Sequence, residues 1–203
     1  MDDTPGKLGA AILAGGRASR YGGADKAALD CGDGRTIVRR LLDELALAGL
    51  NEVVICANDR HRYEALAVPV VPDLRAGAGP LGGIEAALGH YRGRVDGVVL
   101  LPCDLPGISA REILALADAF RAGRGRVVVA QTSDFVCHPL CAVVHNGVAP
   151  EVVAALEAGE LGVGRLWRKL GAVEVRFEDE TAFFNVNTPE DMADWREKDR
   201  PCR

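Results

Sequence analysis

Apolar runs alternate with stretches of helical periodicity along the whole chain. Leu8 to Leu13 is uninterrupted by any charged residue and reads as a buried strand. Thr36 to Leu47 sets Ile37, Leu41, Leu42 and Leu45 at three- and four-residue spacing, with Gly49 as a stop, which predicts a helix with one apolar face. Glu52 to Ala57 reads as a second strand, His61 to Leu66 as a short helix, and Val68 to Val71 as a third strand closed by Pro72 and Asp73. Gly77-Ala78-Gly79-Pro80 leads into a helix over Leu81 to His90. Gly97 to Leu101 is apolar without alternation, the pattern of a strand in the middle of a parallel sheet. Ser109, with Glu112 three residues on, predicts a capping box for a helix running to Phe120.

The second half continues the pattern. Arg126 to Ala130 and Leu140 to His145 read as strands, with His138 and Pro139 in the connection between them. Val148 to Glu157 and Val163 to Leu170 read as helices, and Val173 to Phe177 as a strand. Thr188-Pro189-Glu190-Asp191 opens a last helix through Trp195, with proline in the first helical position and acids in the first turn. Repeated strand–helix alternation predicts a three-layer α/β fold around a mostly parallel central sheet. No internal repeat or low-complexity linker divides the 203 residues, which fit one domain. Ligands of such sheets bind beyond the carboxyl ends of the strands. Four segments fall there: the loop from Gly15 to Lys26, Pro72-Asp73 with the glycines after it, Pro102-Cys103-Asp104, and Asn185-Val186-Asn187.

Composition narrows the function. Apolar residues make up 48% and charged residues 26%, enough for a substantial core, and the formal net charge is -5. That charge argues against a broad nucleic-acid surface, so a polyanion must be met by a local cluster of cations. No apolar run is long enough to span a membrane. The first residues, MDDTPGKLGA, lack the charged-then-apolar layout of a signal peptide, which predicts a cytoplasmic protein. The six cysteines are scattered, mostly among apolar residues, and read as small buried side chains. Cys137, His138 and Cys141 fall short of the four ligands a structural zinc needs.

The local cluster lies in LAGGRASRYGGADK, from Leu13 to Lys26. Gly15, Gly16, Gly22 and Gly23 let backbone N–H groups approach an anion, while Arg17, Arg20 and Lys26 supply charge. Arginine suits forked contacts and lysine a point contact. Ala27 after Lys26 rules out G-x-x-x-x-G-K-[ST], and the glycine spacing does not give G-x-G-x-x-G. An ordinary glycine turn is the plain alternative, but it leaves the crowding of cations in an acidic chain unexplained.

Asp104 follows the apolar run Val98 to Leu101 and is bounded by Pro102 and Pro106. It can hold Mg²⁺, which takes one or two carboxylates, or cap the next turn; beside a phosphate loop the magnesium reading is favoured. Asp73 and the backbone of Gly77 to Gly83 can meet a flat ring and accept hydrogen bonds from a guanine edge, or form a mobile surface connection. Asn185 and Asn187 face one side of an extended segment and can contact a cation or phosphate, though Asn187 also reads as a helix cap. His138 is conceivable as a base, but a lone histidine in a connection is more often structural. His61, His90 and His145 carry no constellation, and Glu178-Asp179-Glu180 reads as a solvated turn.

With these residues in view, the chain resembles the molybdenum cofactor guanylyltransferases of the MobA type, within the wider nucleotidyltransferase group of Rossmann-like fold. The opening loop matches LAGG-x-x-x-R-M-G-G-x-D-K, with Tyr21 where methionine is usual. Gly79-Pro80-Leu81-Gly82-Gly83 resembles the nucleobase loop, Pro102-Cys103-Asp104 the metal-binding strand end, and His138-Pro139 a recurrent pair. Phe184-Asn185-Val186-Asn187-Thr188-Pro189-Glu190 resembles the closing motif, which narrows the likeness from the broad group to this family. The likeness spans nearly the whole chain in the right order.

The resemblance implies GTP and Mg²⁺ binding by Leu13, Ala14, Gly15, Lys26, Asp73 and Asp104, with Gly16, Arg17, Pro80, Leu81 and Gly82 as further nucleotide contacts. It implies catalytic roles for Lys26, Arg20 and Asp104, metal binding at Asp104, and a pterin side that includes His138, Asn185 and Asn187. The nucleotide half would cover about 1–107 and the pterin half about 108–203. Cys56 stands where these proteins often carry a nucleotide-contacting asparagine, and Asn58 is placed to compensate. The implied reaction joins GMP from GTP to the terminal phosphate of molybdopterin, or of Mo-molybdopterin, and releases pyrophosphate. Molybdenum-insertion and molybdoenzyme-maturation proteins are the implied partners, with no nucleic acid and no membrane. The rivals are a related transferase using CTP or a sugar or alditol phosphate, and a non-catalytic GTP-binding accessory protein.

Overall fold

Six residues in a row, Leu8–Leu13, form strand β1, and every one is buried. The computed structural model describes residues 6–15 and 29–198. The other strands are β2 (Val53–Cys56), β3 (Val70–Val71), β4 (Gly97–Pro102), β5 (Val127–Thr132), β6 (Cys137–His145) and β7 (Val173–Phe177). The helices are α1 (Ile37–Leu47), α2 (Gly79–His90), α3 (Ala110–Arg121), α4 (Ala149–Glu157), α5 (Val163–Lys169) and α6 (Pro189–Lys198). All seven strands join one sheet in the order β3-β2-β1-β4-β6-β5-β7. The pairings of β1 with β2 and β4, of β2 with β3, and of β5 with β7 are parallel. Strand β6 runs against both its neighbours, β4 and β5. The expected mostly parallel α/β architecture is therefore present, with one reversed strand.

The unbroken apolar runs of β1 and β4 follow from burial on both faces. Side chains alternate across a strand. Leu8, Ala10, Ile12, Val99 and Leu101 enter one core, with Ile37 and Leu41 of α1, Ile113 and Leu116 of α3, and Trp195 of α6. Ala11, Leu13, Val98 and Leu100 enter the other, with Leu81 and Ile84 of α2, Val152 of α4, and Trp167 of α5. Helices thus cover both faces, which makes the three layers. Among the described residues no helix is long and apolar enough to cross a membrane.

The helix starts carry the chemistry their sequences announce. Thr36 accepts from the Arg39 N–H at α1. At α3 Ser109 and Glu112 complete the capping box, with the Ser109 N–H donating to Glu112 at 3.1 Å. At α6 the Asp191 N–H donates to Thr188 Oγ1 at 3.0 Å, while Asp191 Oδ2 accepts from the N–H groups of Asn187 and Thr188. The side-chain cap is therefore Thr188 rather than Asn187.

Two segments differ from expectation. Helix α2 begins at Gly79 rather than at Leu81, so Gly79 and Pro80 belong to its first turn and not to the connection before it. A Cβ on Gly82 would sit 2.8 Å from Ala78 Cβ, so this glycine serves close packing. His138 and Pro139 lie inside β6, not in a loop before it. The β5–β6 register shifts between Val129 and Ala130, and Pro139, which has no N–H to give, falls in that break. The Pro139 carbonyl accepts from the buried Trp167 indole at 2.8 Å.

Gly9 in β1 allows the Tyr91 ring to lie flat on the strand. An added Cβ would meet the ring at 2.6–2.9 Å. The ring has no room to retreat, being 1% exposed with its hydroxyl 2.7 Å from the Glu52 carbonyl. Gly9→Ala is expected to destabilise the fold by about 1–3 kcal/mol, the range for overpacked cores. Urea unfolding measures this; an unchanged midpoint and slope would contradict it.

Candidate active site

Strand register gathers the predicted segments on one edge. Leu13 pairs with Cys56 on one side and Pro102 on the other, and Cys56 pairs with Val71. The residues that follow, Ala14-Gly15, Ala57-Asn58, Pro72-Asp73 and Cys103-Asp104, therefore emerge together. Main-chain bonds tie them: Ala14 N–H to the Cys56 carbonyl at 2.9 Å, Ala57 N–H to Val71 at 3.0 Å, and Cys103 N–H to Leu13 at 3.2 Å.

Asp73 follows the outermost strand, β3, and its carboxylate reaches inward to the ends of β2 and β1. Asn58 Nδ2 donates to Asp73 Oδ2 at 3.0 Å, and the Asp73 N–H donates back to Asn58 Oδ1 at 3.0 Å. The first turn of α2 lies against the same carboxylate: a Cβ on Gly83 would be 3.7 Å from Oδ1, and one on Gly82 3.5 Å from Cγ. Gly15 approaches from β1, its virtual Cβ 3.8 Å from Oδ2. Oδ1 is buried and has no hydrogen-bond partner among the described residues. A carboxylate oxygen kept from water without a donor is unfavourable unless something else meets it.

Cys56 is fully buried, and burial, with the nearby Asp73 carboxylate adding to it, pushes its thiol up to about 12. Its side chain packs under Gly83 rather than reaching the edge. Asn58 reaches the edge instead. Ala14, Gly15, Asn58, Asp59, Arg62 and Tyr63 line a 230 Å³ cavity beside it.

Asp104 is half-buried at the end of β4. Its carbonyl accepts from the Val186 N–H at 2.8 Å, which docks the segment before α6 on this strand end. Val186 is buried while Asn185 and Asn187 are exposed, so both amides face outward beside Asp104.

A larger cavity of about 430 Å³ opens next to this junction, lined by Thr132, Asp134, Val136, His138, Glu180, Thr181, Phe183, Phe184 and Asn185. Because β6 runs backwards, its start meets the end of β5, and His138 arrives at the same edge. The His138 ring lies on Phe183 with centroids 4.6 Å apart and planes at 31°. Burial lowers its pKa, against a smaller opposing pull from Asp134, so the imidazole is neutral near pH 7.

The edge thus brings together Leu13, Ala14, Gly15, Asp73 and Asp104, with Pro80, Leu81 and Gly82 one layer behind in α2. Leu81 is fully buried, so it can offer a ligand only main chain. Asn185 and His138 line the larger cavity; Asn187 does not. Gly16, Arg17, Arg20 and Lys26 lie outside the described residues. Sequence reasoning passed over Thr132, Asp134, Phe183 and Glu180 as lining residues, since nothing in the chain's order sets those segments side by side.

Gly15, the glycines in the first turn of α2 and two strand-end aspartates at the carboxyl edge of an open α/β sheet mark a nucleotide-using protein. Comparison with known proteins names the family. The MobA-like NTP transferase domain matches residues 10–174, and the chain belongs to that family. It is 38% identical over 192 residues to a molybdenum cofactor guanylyltransferase of Burkholderia vietnamiensis, covering 90% of this chain and 92% of that protein. One from Cereibacter sphaeroides is 38% identical over 184 residues, with the same coverage. The structure of molybdopterin-guanine dinucleotide biosynthesis protein A from Archaeoglobus fulgidus superposes with a TM-score of 0.76 at 22% identity, covering 93% of this chain and 97% of that one.

Proposed function

We propose that the protein transfers GMP from GTP to the terminal phosphate of molybdopterin, releasing pyrophosphate. The observation that carries this reading is the Val186–Asp104 main-chain bond, which joins the nucleotide edge to the larger cavity. Two substrates bound on either side of that bond have their reacting ends at Asp104. The guanylyltransferase relatives, matched over nearly their full length, support the choice of substrates. The nucleotide half is then about 1–107 and the acceptor half about 108–203.

An oxygen of the acceptor phosphate attacks the α-phosphorus of GTP, and the bond from that phosphorus to the β-bridging oxygen breaks. A phosphate monoester has its second pKa near 6, at about pH 6, so the attacking group is already ionised and no strong base is required. The neutral, stacked His138 agrees with this. The protein's work is to align two polyanions and offset their charge.

A divalent ion fits the donor set. No group of three or more His, Cys, Asp or Glu able to hold a metal is present among the described residues. Mg²⁺ asks for less: one or two carboxylates, with phosphate and water completing its shell. Asp104 would hold it, and Asp73, whose buried Oδ1 lacks a partner among the described residues, stands on the same edge. When bound, such an ion neutralises phosphate charge. The reaction belongs in the cytoplasm, and molybdenum-insertion and molybdoenzyme-maturation proteins are the partners it calls for.

Incubation with molybdopterin, Mg²⁺ and each of the four nucleoside triphosphates tests the reading. Pyrophosphate release and a guanine dinucleotide product are expected with GTP alone. Turnover with CTP instead, or GTP binding without pyrophosphate release, would overturn it.

A further inference from the structure

The far wall of the larger cavity is built to meet hydrogen-bond donors. Asp134 sits at the turn between β5 and β6, and Glu180 on the segment after β7. Each carboxylate is aimed by a hydroxyl: Thr132 Oγ1 donates to Asp134 Oδ1 at 2.6 Å, and Ser133 Oγ donates to Glu180 Oε1 at 2.5 Å. Thr132 is itself 3% exposed, so the Asp134 side chain is anchored to the core. The Val136 N–H adds a second bond to Asp134 Oδ1 at 3.3 Å. These bonds from other residues all fall on Asp134 Oδ1 and Glu180 Oε1, which leaves the second oxygen of each carboxylate to face the cavity. The hydrogen bond from Thr132 holds the Asp134 pKa below the ordinary carboxylate value, so the group is ionised at neutral pH.

Aromatic side chains supply the rest of the wall: Phe183, Phe184 and the His138 ring stacked on Phe183. Flat apolar surface with carboxylate oxygens at one end suits a planar heterocycle carrying adjacent N–H donors. It repels a phosphate. The turn is also held against its backbone preference. Phe135 adopts φ +64 in a tight turn, at a position that favours glycine, and Arg176 fixes it by bonding the Ser133 carbonyl and covering the Phe135 ring at 4.9 Å. Strain of this kind persists where the surroundings impose it.

We propose that Asp134, seconded by Glu180, is the specificity-determining group for the acceptor: it accepts the N–H donors on the 2-amino-4-oxopyrimidine edge of the pterin. The inference rests on the acceptor reading of this cavity. It also orients that substrate. The ring edge lies at the acid wall, and the phosphate is driven to the opposite end, where Asn185 and Val186 adjoin Asp104.

Asp134→Asn keeps an oxygen for the Thr132 bond and replaces the free acceptor with a donor. It is expected to raise KM for molybdopterin roughly 10- to 100-fold, the loss typical of a hydrogen bond to a charged group. KM for GTP and the thermal midpoint stay unchanged. In competition against molybdopterin, the wild-type protein should prefer 6-hydroxymethylpterin to 6-hydroxymethyllumazine, which has a carbonyl in place of the 2-amino group. Asp134→Asn should lose that preference, which a purely structural role would leave intact. Glu180→Gln, on a separate segment, provides the same measurement if the turn variant fails to fold. A wild-type KM for molybdopterin together with a retained preference overturns the assignment. Wild-type protein that uses another acceptor and not molybdopterin overturns the functional reading, and this inference with it.

Discussion

Asp104→Ala is expected to lower kcat/KM for GMP transfer by about 10³ or more, since holding a divalent ion on the phosphates contributes several kcal/mol of charge stabilisation and each 1.36 kcal/mol is tenfold in rate. On the proposed reading the side chain stands where the nucleotide edge meets the acceptor cavity, and the reaction brings two anions together there. The fold does not depend on the carboxylate in the same way. The bond that docks the closing segment comes from the Val186 N–H to the Asp104 carbonyl, which is main chain and survives substitution. Neighbouring Leu105 and Ile108 are buried and keep the turn in place.

The expected signature is therefore a catalytic loss with the melting midpoint close to wild type. Asp104→Asn, which preserves shape while removing charge, should fall nearly as far. Raising the Mg²⁺ concentration should recover part of the rate in the asparagine variant and less in the alanine variant. Steady-state assays with calorimetric midpoints measure all of this. Either purified variant turning over at the wild-type rate would remove Asp104 from the mechanism. A loss accompanied by unfolding would move its role to structure.

The strand ends were legible because chain order alone places them. A fully buried strand shows as an unbroken apolar run, as in Leu8–Leu13 and Gly97–Pro102, and its carboxyl end is then simply the next residue. Asp104 could be found in that way, and Asp73 from the short apolar run Val68 to Val71 that Pro72 closes. The capping box at Ser109 and Glu112 was legible for a similar reason, since both partners lie within one turn. What sequence order leaves open is lateral strand order and packing distance. Strand β7 lies beside β5 and not beside β6, its predecessor in the chain. That choice is what carries Glu180 and Phe183 to the same wall as Thr132 and Asp134. The start of β6 was hidden because Pro139 argues against a strand unless a register break receives it. The glycines of α2 likewise suggest flexibility until the Ala78 side chain and the Asp73 carboxylate are seen against them.

Lys26→Ala is expected to reduce kcat by about 10²–10³, the loss seen when one donor to developing transition-state charge is removed. The argument for this residue is chemical and rests on the sequence, because it lies outside the described residues. The chain is acidic, with a formal net charge of -5, and on the proposed reading the phosphates of GTP are held on an edge that already carries Asp73 and Asp104. As pyrophosphate departs, negative charge builds on its oxygens. A point cation that follows those oxygens lowers the barrier more than it strengthens ground-state binding, so kcat should fall further than KM for GTP rises. The shape of the cation matters as well. An ammonium on a flexible stem can track a moving phosphate, whereas a planar guanidinium is fixed in fork geometry. Lys26→Arg should therefore recover only part of the rate, and less of kcat than of KM. Single-turnover rates for both variants separate chemistry from release. A Lys26→Ala enzyme whose loss is confined to KM would place the ammonium on the bound triphosphate rather than on the charge that forms as it breaks.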